Sequence, residues 1–220
     1  MRSSGGWDPD VLDYVLRTGV REHEVLRRCR EDTARDQPLA VMQISPEQGA
    51  FMGLLTNLLD VQRYLEVGVF TGYSALSVAL EMGPAGRVTA CDISEEFLGI
   101  ARGYWKEAGV SGRIESRAGP AADTLAELLE AGAADSYDMA FVDADKTGYD
   151  TYYEQCLKLV RPGGLILFDN VLWSGAVADA SKTDENTQAL RALNEKLHGD
   201  ARIDYCLLPA CDGIGMCRRR

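Results

Sequence analysis

From residue 63 onward the chain alternates strand and helix without a break, and no other feature limits its fold so strongly. "RYLEVG" reads as a short buried strand and "GYSALSVALEM" as the helix after it. "GRVTACD" and "SEEFLGIARGYWKEAG" repeat the pattern, with Ser94 as an N-cap. "GRIESRAG" with "AADTLAELLEAG", then "YDMAFVDAD" with "YDTYYEQCLKLV", repeat it twice more. "GGLILFDN" is a strand entered through glycines, and a charged helix follows at about Glu185–Leu197. Strands separated by helices are parallel, and a parallel sheet needs cover on both faces. The last two strands, "ARIDYCLLP" and "GIGMCRR", are joined by a turn at Cys211-Asp212-Gly213, short enough for an antiparallel edge hairpin. The expected fold is α/β: a mostly parallel seven-stranded sheet, helices on both faces, and a C-terminal antiparallel hairpin.

The first sixty residues read as helices. "DPDVLDYVLRTGV" places Val11, Leu12, Val15 and Leu16 at helical spacing, and "EHEVLRRCREDTAR" is a charged amphipathic helix. In "MQISPEQGAFMGLLTNLLDV", Ser45 is an N-cap, Pro46 suits the first helical position, and Gln48 lies three residues after the cap. Phe51, Leu54, Leu55 and Leu58 are expected to form that helix's apolar face. A chain of 220 residues can bury one full core. With no repeat, low-complexity tract or linker, residues 1–220 are expected to be a single domain: a helical extension over 1–60 and an α/β core over 61–220.

Composition excludes several classes. No apolar run approaches the roughly 20 residues that cross a bilayer. "MRSSGGWDPDVLDYV" has no apolar stretch behind Arg2, so it does not read as a secretory signal, and a cytoplasmic setting without a membrane partner is expected. Cys29, Cys91, Cys156, Cys206, Cys211 and Cys217 form no Cys-x-x-Cys pair, and there are only two histidines, which speaks against zinc and for reduced, mostly packed thiols. The net charge of −11 opposes a nucleic-acid partner, since such binding rests on Lys and Arg neutralising phosphates. The one basic run, Arg218 to Arg220, reads as a solvated tail.

In an open α/β sheet, ligands collect outside the carboxyl ends of the strands. Those ends carry Glu66 with the loop Gly68–Gly72, Asp92, the Gly119-Pro120-Ala121 turn, Asp143 with Asp145 and Lys146, and Asp169 with Asn170. Five consecutive strands ending in acids or glycine turns point to one cleft. The loop "EVGVFTG" lacks the third glycine or the lysine of a phosphate loop, and it opens with a carboxylate. Glycine still lets a flat ligand press on the backbone, and the helix that follows offers N–H groups to a carboxylate. A tight strand–helix turn is the plain alternative. Asp92, one strand later and suited to two ribose hydroxyls, favours a nucleoside without polyphosphate and with a zwitterionic end, as in S-adenosylmethionine (SAM). Asp143, Asp169 and Asn170 offer only oxygen, which suits a hard divalent cation; helix capping is the alternative for any one of them. Lys146, three residues after Asp143, could act as a general base there, or be a solvated lysine.

"YLEVGVFTGYSAL", "GRVTACDIS", "AGPAADTL", "FVDADKTGYDTYYE" and "GGLILFDNVLWSG" together resemble the cation-dependent O-methyltransferases, the caffeoyl-CoA and catechol type. The likeness runs from "MQISPEQG" to "DGIGM". It implies a Rossmann-like class I methyltransferase fold and a commonly dimeric enzyme. It implies that Met42, Glu66, Gly68, Val69, Ser74, Asp92, Ala121, Asp143 and Asp145 bind SAM. It implies that Asp143, Asp169 and Asn170 hold Mg2+ (or Mn2+ or Ca2+), with Asp143 also at the catalytic centre. Lys146 would be the base, and Lys146, Asn170 and Trp173 would meet the acceptor, a small vicinal-dihydroxy aromatic. The plant enzymes' basic grip on coenzyme A phosphates has no counterpart in "SGAVADASKTDENTQ", which favours a free catechol over an acyl thioester. A hydroxylated tRNA base is a rival acceptor, opposed by the acidic chain. A nicotinamide-dependent oxidoreductase and a non-catalytic scaffold are rivals of other classes, opposed by the missing glycine and by the intact acid–amide–lysine set.

Overall fold

The computed structural model describes residues 7–220. The segment carrying Arg2, read above for a leader, lies outside the described residues. Three helices come first: α1 (Pro9–Gly19), α2 (Glu24–Asp36) and α3 (Pro46–Leu58). The alternating part is β1 (Arg63–Val67), α4 (Tyr73–Glu81), β2 (Arg87–Asp92), α5 (Glu95–Glu107), β3 (Ile114–Ala118), α6 (Ala121–Glu130), β4 (Tyr137–Val142), α7 (Tyr149–Leu159) and β5 (Val160–Phe168). α8 (Glu185–Gly199), β6 (Ile203–Leu208) and β7 (Ile214–Arg219) complete it.

Among the described residues there is one seven-stranded sheet, in the order β3-β2-β1-β4-β5-β7-β6. The first five strands are parallel; β7 runs antiparallel to both β5 and β6. This is the expected architecture. The order reverses between β1 and β4, which opens the crevice where such sheets bind ligands. Two apolar layers flank the sheet. One packs Tyr64, Tyr73, Leu76, Leu98 and Trp105 beneath α2 to α5. The other packs Leu65, Leu125, Tyr153, Phe168 and Leu193 beneath α6 to α8. No described helix is long and apolar enough to cross a membrane.

Ser45 caps α3 as its sequence predicts, accepting the Gln48 N–H at 3.4 Å. The buried face of that helix differs from expectation. Leu54 and Leu58 are 58% and 71% exposed, whereas Gly49, Met52, Gly53 and Thr56 face inward. The reason is the close approach of α4: a Cβ on Gly49 would lie 2.8 Å from Ser77 Oγ, and one on Gly53 would lie 2.9 Å from Glu81 Cγ. Small residues, not leucines, make that seam. All six cysteines are free thiols, and all but Cys206 are buried.

Candidate functional site

Backbone bonds carry the sheet one step past each strand, so the five predicted strand ends form a row. Gly119 N–H donates to Asp92 O at 2.9 Å, and Gly68 N–H to Cys91 O at 2.9 Å. Asp143 N–H donates to Val67 O at 2.8 Å, and Asp169 N–H to Val142 O at 3.0 Å. Of these strand ends, Gly68, Asp92, Pro120–Ala121 and Asp143 with Asp145 and Lys146 line a cavity of about 740 Å³ at the β1–β4 switch point; Glu66, Asp169 and Asn170 lie buried outside its lining.

On the β1–β2 side lies the glycine loop. Gly68 has φ +91° and Gly72 φ +87°, and Phe70 between them also turns left-handed at φ 51°. The Asp92 carboxylate holds this loop: Oδ2 accepts Val69 N–H and Phe70 N–H, both at 2.8 Å, while Oδ1 accepts Ser94 N–H at 2.8 Å. The predicted ribose acceptor thus also fixes the loop beside which a ribose would lie. Glu66 lies deeper than its sequence position suggested. It is fully buried, with Oε2 accepting Tyr64 Oη–H at 2.6 Å and Oε1 accepting Ser74 Oγ–H at 2.7 Å. Burial pushes its carboxyl up to about 8, against the pull of the two hydroxyls. Ser74 lines the cavity, so Glu66 reaches it through that hydroxyl. Met42, Val69, Ala121 and Asp145 also line the cavity.

On the β4–β5 side, Lys146 is 6% exposed, and its Nζ donates to Asp143 Oδ1 at 2.8 Å and to Tyr149 Oη at 2.7 Å. Tyr149 Oη in turn contacts Asp169 O at 3.1 Å and Val142 O at 3.2 Å. This tyrosine ties the lysine to both strand ends. Asp145 accepts Tyr152 Oη–H at 2.6 Å, and burial, together with that bond, pushes the phenol above its ordinary range. Asp169 Oδ1 accepts Asn170 N–H at 2.7 Å. Asn170 is fully buried at φ 59°, and neither atom of its side-chain amide has a hydrogen-bond partner.

An orphaned buried amide is costly and calls for an explanation. An amide oxygen next in sequence to the buried Asp169 carboxylate is a donor set that fits a hard cation. Among the described residues no three His, Cys, Asp or Glu side chains gather as a metal group; the candidate set is two carboxylates and one amide. Trp173, at φ 49°, lines the same cavity, and its ring centroid lies 5.8 Å from Lys146 Nζ. The β6–β7 turn clasps this loop: Val171 N–H and Leu172 N–H donate to Gly213 O and Asp212 O at 3.2 and 3.0 Å, and Ser174 N–H to Asp212 Oδ1 at 2.5 Å.

Sequence reasoning missed Tyr149 and Tyr152, whose signal was the tyrosine-rich "GYDTYY" just after Lys146. It also missed the apolar wall of Phe70, Phe97 and Ile93. The two rings meet edge to face at 4.7 Å, and Ile93 is left 78% exposed at the cavity mouth. A bare isoleucine directly after a strand-end acid was the readable clue there.

Comparison with known proteins agrees with this geometry. The profile of the O-methyltransferase family matches residues 16–220. The chain is 42% identical over 209 residues to a probable caffeoyl-CoA O-methyltransferase 2 of Dictyostelium discoideum, covering 94% of this chain and 90% of that one. It is 40% identical over 209 residues to the catechol O-methyltransferase domain-containing protein 1 of Mus musculus, covering 95% and 79%. The fold superposes with a TM-score of 0.89 and 32% identity on the O-methyltransferase TomG of Streptomyces achromogenes, solved in complex with SAM, over 100% of this chain and 99% of that one. Strand order, cleft position and family match therefore converge: the chain belongs to the O-methyltransferase family, enzymes that move a methyl group from SAM to oxygen.

Proposed function

We propose that the chain methylates one hydroxyl of a small catechol-type acceptor, with a divalent cation held by Asp143, Asp169 and Asn170. The observation that carries this reading is the buried, unpartnered side-chain amide of Asn170, next in sequence to Asp169, whose carbonyl Tyr149 Oη joins to Lys146 and so to the Asp143–Lys146 pair. SAM would occupy the loop side, against Met42, Gly68, Val69, Ser74, Asp92 and Ala121, with Glu66 behind Ser74 and with Asp143 and Asp145 nearby. When bound, a cation such as Mg2+, Mn2+ or Ca2+ lowers the pKa of an adjacent hydroxyl and stabilises the oxyanion. Lys146 takes the acceptor's proton, and Tyr149 and Asp143 hold its Nζ in place. The phenolate oxygen forms a bond to the sulfonium methyl as the carbon–sulfur bond breaks on the opposite side. Trp173 walls the acceptor side. Beyond it, a second cavity of about 550 Å³ carries Asp179, Asp184 and Asp212 against Lys182, which disfavours the phosphates of an acyl-CoA.

The test is methyl transfer from SAM to a panel of catechols, a caffeoyl thioester and a hydroxylated tRNA, each with Mg2+ and with EDTA. Catechol turnover is expected, lost with EDTA and reduced at least 100-fold in Asp169→Ala, in line with the loss of a charge-stabilising group. SAM affinity by calorimetry should stay near wild type. EDTA-insensitive turnover would remove the cation from the scheme, and turnover of the thioester or tRNA alone would replace the acceptor.

We also propose a homodimer. α1 lies against α3 and buries none of its own residues, and Val11, Tyr14, Val15, Leu54 and Leu58 leave an apolar surface on the two helices. Sedimentation at micromolar concentration is expected to show a dimer that Leu58→Glu dissociates; a monomeric wild type would end this reading.

A further inference from the structure

At the far end of the sheet from the catalytic cleft, three arginines stand in one row. Arg63 opens β1 and pairs in register with Arg87, which opens β2. Val88 pairs with Ile114, so Arg113 comes next to Arg87 at the entry to β3. Neighbouring strands lie about 4.8 Å apart, and like charges directly opposite one another on adjacent strands are destabilising. All three line one cavity of about 330 Å³.

The row is unusual for a chain of net charge −11, which has carboxylates to spare. Other arginines at this end are paired: Arg161 with Asp138 at 2.7 Å, Arg218 and Arg220 with Asp204 at 3.1 and 2.7 Å, and Arg219 with Asp135, so the C-terminal basic run belongs to the end of β7 and is not the solvated tail its sequence suggested. Among the described residues, Arg63, Arg87 and Arg113 enter no ion pair. Each is nevertheless held in place. Arg87 Nη1 donates to Ala85 O and Gly86 O, both at 2.8 Å. Arg113 Nη1 donates to Met82 O at 3.0 Å and Gly83 O at 2.9 Å. The Arg63 guanidinium stacks 4.8 Å above the Tyr137 ring. A guanidinium has five N–H donors, and most of these fifteen or so remain unused.

The cavity floor adds another donor. Thr89 Oγ1 and Tyr137 Oη, both buried, lie 3.0 Å apart. Two hydroxyls sharing one bond leave one O–H free. Glu115, the one carboxylate lining the cavity, is engaged by Arg117 at 2.8 Å.

We infer that this cavity is an anion site for a small phosphate-bearing ligand, separate from the methyl-transfer site. Fixed guanidinium forks match phosphate oxygens bidentately, and a bound dianion removes the repulsion along the row. The cavity has room for a polyphosphate or a phosphomonoester. Because the ligand would bridge the starts of β1, β2 and β3, binding is coupled to the stability of that half of the sheet.

The probes are inorganic phosphate and tripolyphosphate, titrated calorimetrically into the full chain at constant ionic strength. EDTA is present, so that no cation at the catalytic cleft recruits them. Saturable one-site binding is expected, with a Tm that rises with probe concentration. Arg63→Gln should weaken it at least tenfold while leaving SAM affinity within twofold. This variant loses only a ring contact and keeps the carbonyl bonds of Arg87 and Arg113, so the fold is retained. Thr89→Val is the second variant, expected to weaken binding severalfold through the floor hydroxyl. Tighter binding of tripolyphosphate than phosphate assigns a polyphosphate ligand, and equal binding a single phosphate group. No saturable binding at millimolar probe, or binding that both variants leave intact, overturns the site.

Discussion

Gly68→Ala should leave a folded protein that binds SAM poorly and turns over at least 100-fold more slowly. Gly68 sits at φ +91°, where an L side chain is strained by roughly 1–2 kcal/mol before any contact is considered. The contacts are the larger effect. A Cβ built there would fall onto the Asp143 carbonyl oxygen and lie 2.6 Å from its carbon. Nothing flexible can yield, because both partners are backbone. The loop must therefore lift from β4, and with it the N–H groups of Val69 and Phe70 that Asp92 holds. A displacement of about 1 Å in a positioning element costs on the order of 100-fold in rate. Calorimetry with SAM and a thermal melt check the outcome together. Weak binding with a cooperative melt supports the role of the loop. Wild-type SAM affinity would show that cofactor binding does not depend on the loop's approach to β4.

Replacing Lys146 should lower kcat by roughly 10²–10⁴-fold, the span of general acid–base catalysis. Lys146→Ala alone would be ambiguous, because it also removes the buried cation that meets Asp143. Lys146→Arg separates the two roles. It keeps a positive charge for Asp143, but a guanidinium cannot accept a proton at usable pH. The proposed base predicts that both variants are inactive and that SAM affinity changes little. Activity within tenfold of wild type in Lys146→Arg would reduce Lys146 to holding Asp143 in place.

The fold was legible where the sequence carries local signals. The strand–helix alternation from Arg63, the Ser45 and Ser94 caps and the hairpin around Gly213 all stand where their residues predict. The strand-end acids were legible for a topological reason: parallel strands put every carboxyl end on one edge. Partners chosen by tertiary packing were not legible. The α3 seam follows the space left by α4, so Gly49 and Gly53 face inward while Leu54 and Leu58 do not. The depth of Glu66 could not be read from a strand end alone, and the Tyr149 contact with Lys146 depends on how α7 begins. The arginine row is the clearest case. Its members are scattered through the chain at 63, 87 and 113, and only strand register brings them together.

The clasp of the β6–β7 turn on the loop after β5 has a consequence for how such an enzyme diversifies. The segment that carries Asn170 and Trp173 is braced by Asp212 and Gly213 and by Asn194 and Arg191 of α8, rather than by the glycine loop or Asp92. In the proposed reading, methyl donor and methyl acceptor would meet at the β1–β4 divide on separate stretches of chain. The glycine-loop half is fixed by register, whereas the loop after β5 is held by the β6–β7 turn and by Asn194 and Arg191 of α8. New acceptors can therefore be accommodated by exchanging two surface segments, about residues 173–184 and 208–213, as a matched pair. Replacing Asp212 alone would lose the side-chain bond that joins the two segments, Ser174 N–H to Asp212 Oδ1.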